Sequence, residues 1–569
     1  MTSSRTMLAG RDAFIDLLAS EGVTHLFGNP GTTELPIMHA LGTRPQLRYV
    51  LGMQESIVVA MADGYARATG ELVACNVHVA PGLGNAMGSL FTAAYSKTPM
   101  IITAGQQEQG HGLMEPLLAG PLVRMAEPLV KWAIEVTRLA DLPRIMRRAA
   151  KIATTAPTGP VFISLPGDIL NASEPLDLMS ATRLDTVTRP SAEAINRLAE
   201  RLINARSPVI LAGPEIVTGD AFDEAGALAL AIGAPVWQQT VPSGAHFPSA
   251  HPCYLGGLSR NQSQVRAALA DHDLLISLGA DMLRMSVYSE TDPMPQALEL
   301  VHIGLDDHEI GKNWPVTIAW RADLRASLRE LLARLEAIGG DTLRQRSAQR
   351  CETIAAGNWS RRRATRTPAP ATASTPATAA KALEPAARLN PDFVMYRIAE
   401  RLPTDAIVVE EGLVSTRTLL DWYPYRDRHG FFGNTGGGIG WAISAAIGIA
   451  LGQPSRPVFA IIGDGSAMYS IQALWTAAHL KLPITYIIAN NQGYRIIKER
   501  LRSFHGSEHY IAMDFDDPPL DFVSLARGLG MPAERIDDAD SLEQALTRAI
   551  EAGLTGGPRL LDVSVDKGP

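Results

Sequence analysis

The segment GDGSAMYSIQALWTAAHLKLPITYIIANN, Gly463 to Asn491, opens where one apolar run ends and closes where another ends. The run before it, PVFAIIG, reads as a buried parallel strand ending at Gly463. Ser466 is placed to cap a following helix. Met468, Ile471, Leu474, Trp475 and Ala478 then recur at helical spacing. Lys481–Pro483 turns the chain, and Ile484–Ala489 reads as the next strand. This is a βαβ unit, and Asp464 and Asn491 stand at its two strand ends. Ligands of such sheets sit beyond the carboxyl ends of the strands. A carboxylate and an amide oxygen are hard ligands that suit Mg2+ or Ca2+, with positions left open for a phosphorylated partner. The helix N-terminus between them would add amide donors to a diphosphate.

Outward from this unit the same alternation continues. VTHLF, LVACNV, MIITAG, PVFISLP, PVILAGP, DLLISLG and ELVHIG are short β-rich runs separated by helical patterns. That alternation predicts an α/β protein of doubly wound parallel sheets with helices on both faces. The 569 residues are too many for one core. DTVTRPSAEAINRL reads as a linker entering a new helix, so a boundary is expected near Thr188. RRRATRTPAPATASTPATAAKALEPAA is rich in Ala, Thr, Pro and Arg and predicts a linker over 344–387. The expected domains are 1–188, 189–343 and 388–569.

Composition narrows the class. The net charge is −8, which argues against nucleic acid or an anionic membrane surface as partner. Cys75, Cys253 and Cys351 form neither a disulfide framework nor a zinc cluster, so a reducing cytoplasm is expected. The N-terminal stretch reads as an amphipathic helix, and no run of about 18 uncharged apolar residues predicts a membrane span. GLGNAMG at 82–88 and GGGIG at 436–440 miss the G-x-G-x-x-G spacing of dinucleotide sites.

GDG followed by NN resembles the signature of thiamine-diphosphate (ThDP) enzymes. GNPGTTELP (28–36), MQES (53–56), NVHVAPGLGNAMG (76–88) and HPCYLGG (251–257) resemble its benzoylformate decarboxylase branch. The resemblance implies three domains that are pyrimidine-binding, central and diphosphate-binding. It implies that Asp464, Asn491 and the Gly493 carbonyl hold Mg2+ on the cofactor diphosphate. Pro30, Gly465, Ser466 and Tyr494 join the cofactor-binding set. Ile439 matches the bulky residue that bends ThDP, and Gly437 would offer a carbonyl to the aminopyrimidine. Glu55 matches the carboxyl that shares a proton with the pyrimidine, so that the ring's imine can take the C2 proton. His78 matches a proton relay near the reacting carbon. Thr32 stands where the branch has a serine near the substrate carboxylate. Glu55 and Asp464 would serve one cofactor from two subunits, making a homodimer or homotetramer.

Four departures bear on the reaction. Within GADMLRMSVYSE (279–290), Ser286 occupies the place of a second catalytic histidine. Serine does not titrate near neutrality, so the enamine could persist and attack a second carbonyl. By the resemblance, Ile496 stands where the pocket has a small residue, Arg500 and Gly433 stand in place of aromatics that pack a phenyl ring, and His505 and His509 lie just beyond. The expected activity is decarboxylation of a 2-oxo acid to an aldehyde, with carboligation of the acetolactate synthase type as the alternative.

Overall fold

The computed structural model describes residues 5–368 and 388–568. Three six-stranded sheets, parallel in every pairing, organise the chain. The first holds His25–Gly28, Arg48–Leu51, Val73–Val77, Met100–Gln106, Ala133–Glu135 and Val161–Pro166. The second runs from Pro208–Ala212 to Ile318–Arg321, and the third from Ile407–Glu411 to Arg559–Ser564. Numbering strands within each sheet in chain order, the first and third share the spatial order 2-1-3-4-6-5, whereas the middle sheet reads 3-2-1-4-5-6. The three doubly wound sheets match the expected fold class. Both strands of the opening βαβ unit, Val458–Gly463 and Ile484–Asn490, are buried along their whole length and pair with each other.

The shared order of the first and third sheets places two helices equivalently, each between its sheet's second and third strands. These are Glu55–Thr69 and Ala442–Gly452. They pack directly on each other through small residues. A Cβ on Gly64 would lie 2.3 Å from the Ala445 carbonyl oxygen, and one on Gly448 would lie 1.8 Å from that of Met61. Glycine is required at both places because the neighbouring atoms are backbone and cannot turn aside. Beside this crossing, buried Asp63 accepts from the Trp441 indole at 2.7 Å. Arg67 donates to the Ser243 and Gly433 carbonyls, so groups from all three sheets' domains meet there.

Two local expectations are corrected. The linker predicted from Arg344 is not a linker as far as Ala364. Helix Leu324–Ala356 breaks at Gly340 (φ 61°) and resumes, and Trp359–Ala364 adds a further short helix. Composition hid a buried face. Leu343, Ser347 and Trp359 are buried, and Ser347 Oγ donates to the Ala231 carbonyl at 2.9 Å. The rest of the expected linker, 369–387, lies outside the described residues. Ser466 does not cap a helix either. The helix starts at Asp464, with Gly463 at the N-cap, and Ser466 is buried in its first turn. The single helix expected between the two strands is two short ones, Asp464–Met468 and Ala473–His479.

Candidate active site

Every expected cofactor residue of the third sheet lies just beyond a strand's carboxyl end. Asp464 follows strand Val458–Gly463, and Asn491 follows Ile484–Asn490. The register of the two strands aligns Gly463 with Ala489, which brings both side chains to one edge. Asp464 is 2 % exposed. Its Oδ1 accepts from the Gly465 amide at 2.8 Å and its Oδ2 from the Gly493 amide at 3.1 Å. Burial nevertheless outweighs these donors and pushes the carboxyl up to about 6.

Asn491 is oriented from its other end. Its Nδ2 donates to Ser415 Oγ at 3.2 Å, and its Oδ1 is buried with no hydrogen-bond partner. Leaving a buried amide oxygen unmatched costs about 1–3 kcal/mol. A hard cation in contact with this oxygen and the Asp464 carboxylate would remove that cost and the desolvation of the carboxylate together. Among the described residues no group of three or more His, Cys, Asp or Glu forms a metal cluster. The expected donors are instead one carboxylate, one amide oxygen and the Gly493 carbonyl, a set whose chemistry suits Mg2+. Tyr494 packs against Gly465, where a Cβ would come 2.7 Å from its ring. Gly437 is exposed with φ +77°, and Ile439 is half-buried two residues on.

The first sheet builds a second group. Glu55 begins helix Glu55–Thr69 and is 6 % exposed. It accepts from Asn85 Nδ2 at 3.1 Å and Asn29 Nδ2 at 3.3 Å. His78 follows strand Val73–Val77 at the N-cap of helix Val79–Tyr95. Its Nδ1 lies 2.7 Å from Glu34 Oε2 and 3.2 Å from Thr33 Oγ1. Glu34 is fully buried and also accepts from the Gly31 and Gly105 amides at 2.9 and 3.0 Å. Thr32 and Pro30 are exposed, and Thr32 lines a cavity of about 590 Å3 with Thr33, His39 and Gln106. Glu55 and His78 belong to the first sheet's part of the chain, and Asp464 and Asn491 to the third's.

The departures stand as follows. Ser286 is exposed in an irregular segment, and His505 and His509 are exposed at the end of helix Arg495–His505 and just after it. Arg500 is half-buried with its guanidinium 5.7 Å from the Phe504 ring centre. A Cβ at Gly433 would lie 2.2 Å from the Pro242 carbonyl oxygen, so no aromatic fits there. Glu34, Asn29, Asn85 and Ser415 are partners that sequence reasoning missed. Glu34 carried a signal, because it stands three residues after Gly31 at a helix start, where a Glu reaches back to the cap amide.

Family models match all three sheet-bearing parts of the chain. Residues 8–116 match the thiamine pyrophosphate enzyme N-terminal TPP binding domain, 195–331 the central domain and 415–563 the C-terminal TPP binding domain. Benzoylformate decarboxylase of Pseudomonas aeruginosa is 33 % identical over 544 residues, covering 95 % of this chain and 96 % of that protein. Acetolactate synthase isozyme 3 large subunit of Escherichia coli is 26 % identical over 98 % of this chain and 95 % of its own length. Among solved structures, a thiamine diphosphate-dependent 4-hydroxybenzoylformate decarboxylase of Rhodococcus jostii RHA1 superposes with TM-score 0.84 at 30 % identity, covering 98 % of this chain and 99 % of that one. Benzoylformate decarboxylase from Polynucleobacter necessarius also gives 0.84, at 28 % identity and 99 % coverage of both chains. The chain belongs to the thiamine pyrophosphate enzyme family, and the cofactor of its two TPP-binding domains is thiamine diphosphate.

Proposed function

We propose that the protein is a cytoplasmic, Mg2+-dependent decarboxylase that converts a 2-oxo acid to an aldehyde and CO2, in the manner of benzoylformate decarboxylase. The observation that carries this reading is the buried, unpartnered Asn491 Oδ1 at the same sheet edge as the buried Asp464. Asp464, Asn491 and the Gly493 carbonyl would hold Mg2+ against the cofactor's diphosphate. When bound, the cofactor supplies a nucleophilic carbon and an electron sink for loss of CO2.

The chain's own groups then divide the proton work. Glu55 sits between two amide donors, and its buried carboxyl would share a proton with the pyrimidine ring. Glu34 holds the His78 imidazole through Nδ1, which leaves Nε2 to pass a proton to or from the reacting carbon. Thr32 offers a hydroxyl to a substrate carboxylate. Glu55 and Asp464 sit on different sheets, and a homodimer that brings them to one cofactor across subunits would be the functional unit, alone or paired as a tetramer. Leu113, Met114 and Leu117, which are 98 %, 76 % and 83 % exposed near cavity-lining His111, support a covered surface there.

A carboligase is the second reading. Ser286 replaces a titratable group with one that cannot deliver a proton near neutrality, which favours condensation over aldehyde release. The test is CO2 release from benzoylformate, pyruvate, branched-chain and acidic 2-oxo acids with ThDP and Mg2+, with products identified by mass. An aldehyde from benzoylformate supports the first reading. A condensed hydroxyketone supports the second. Turnover that survives Glu55→Gln would overturn both.

A further inference from the structure

The middle sheet's domain carries a thiol pair that the proposed reaction does not use. Cys253, just before strand Tyr254–Gly257, and Cys351, in the second part of helix Leu324–Ala356, have their sulfurs 3.6 Å apart. Each sulfur also faces a carbonyl at the end of helix Phe222–Ile232, Cys253 that of Ala229 and Cys351 that of Leu230, both at 4.0 Å. Cys253 is fully buried, whereas Cys351 is partly exposed. A small reagent therefore meets Cys351 first.

We propose that Cys253 and Cys351 form a reversible dithiol–disulfide site that reacts with low-molecular-weight disulfides of the glutathione class. A disulfide needs its sulfurs at about 2.05 Å, so closure requires an approach of about 1.6 Å. The roles of the two thiols differ. Cys351 is the more exposed of the two, and its contact with the Cys253 sulfur lowers its proton affinity against the effect of burial, so Cys351 is the attacking thiolate. It attacks one sulfur of the small disulfide, forms a mixed disulfide and expels one thiolate. Cys253 then loses its proton to solvent and attacks Cys351 Sγ, expelling the second thiolate. Two protein thiols are oxidised, and one small disulfide is reduced to two thiols that take up the two released protons.

The link would fix the helix segment after the Gly340 break to the start of strand Tyr254–Gly257. Beyond that segment Trp359 Nε1 donates to the Leu420 carbonyl and Arg363 Nε to that of Trp422, both at 2.8 Å. The site therefore lies at the root of the contacts that dock this segment on the third sheet's domain. Cys75 is buried elsewhere, beside Met100, and serves as an internal control.

The experiment equilibrates the full-length protein with oxidised glutathione and reads intact mass, then maps peptides without reduction. The expected result is loss of two hydrogens per chain, a Cys253–Cys351 linked peptide, an unmodified Cys75, and return to three thiols with a reducing dithiol. Closing a loop of this length is expected to raise the apparent Tm by several degrees. Cys253→Ser should stop at one glutathionyl group on Cys351, and Cys351→Ser should gain neither link nor group. A wild-type protein that keeps three free thiols, stops at the glutathionylated form, or links Cys75 would overturn the proposal.

Discussion

His78 Nδ1 lies 2.7 Å from a carboxylate, Glu34 Oε2, that is itself fully buried and held by two backbone amides. A carboxylate can only accept, so it selects the imidazole tautomer with hydrogen on Nδ1 and leaves Nε2 free. Glu34→Gln keeps the shape but presents an amide that can turn its donor toward His78. Turnover is expected to fall by up to about 10²-fold with KM little changed, and the pH profile should shift. Steady-state kinetics across pH against a stability control checks this. An unshifted profile with full activity would reduce Glu34 to a structural group.

The Asn491 amide oxygen predicts opposite effects on stability and binding. Asn491→Leu removes a buried acceptor that has no partner in the free protein. The cofactor-free variant should be as stable as wild type or more so, by up to about 1–3 kcal/mol. Its Mg2+-dependent ThDP affinity should drop by at least about 10-fold. Urea unfolding and calorimetric titration measure the two quantities. A variant that is strongly destabilised yet binds ThDP normally would contradict the cation role.

At the crossing of helices Glu55–Thr69 and Ala442–Gly452, Gly448→Ala would press a methyl carbon to 1.8 Å from the Met61 carbonyl oxygen. Backbone must shift, and Glu55 sits at the start of the same helix. The expected loss is about 1–3 kcal/mol or more, with reduced activity from a displaced Glu55. Gly84→Ala, where an added carbon meets open space, should change neither. Thermal melts of the two variants decide the point.

The fold was legible because parallel strands buried on both faces read as continuous apolar runs, as PVFAIIG and LVACNV do. The strand-end positions of Asp464 and Asn491 were legible for the same reason, since each follows the last residue of such a run. Glu34, Asn29 and Asn85 were not, because a partner's role comes from long-range contact. Glu34 meets a histidine 44 positions away, and Asn85 meets a carboxylate 30 away. The stretch 344–364 was misread because its helix buries only a few residues along one face, among Arg, Ala and Thr. Composition averages over that face and reports only the solvent side.

Glu411 supplies a pH test of the free protein. It ends strand Ile407–Glu411, is 2 % exposed, and accepts from Asn434 Nδ2 at 2.7 Å and the Ala442 amide at 2.8 Å. Burial outweighs these donors and pushes its carboxyl from 4.5 up to about 8. The native state thus holds this proton through a window where the unfolded chain has released it. Stability from the group is full below the unfolded value of 4.5 and is lost as pH rises through about 8. Within the window the slope approaches about −1.4 kcal/mol per pH unit. Glu411→Gln mimics the protonated form and should remove that slope. Urea unfolding of cofactor-free wild type and variant across the window should give curves that converge at low pH. Above the window the variant should be the more stable. A constant difference at every pH would mean that Glu411 binds its proton equally well in the native and unfolded chain, with its two donors offsetting burial.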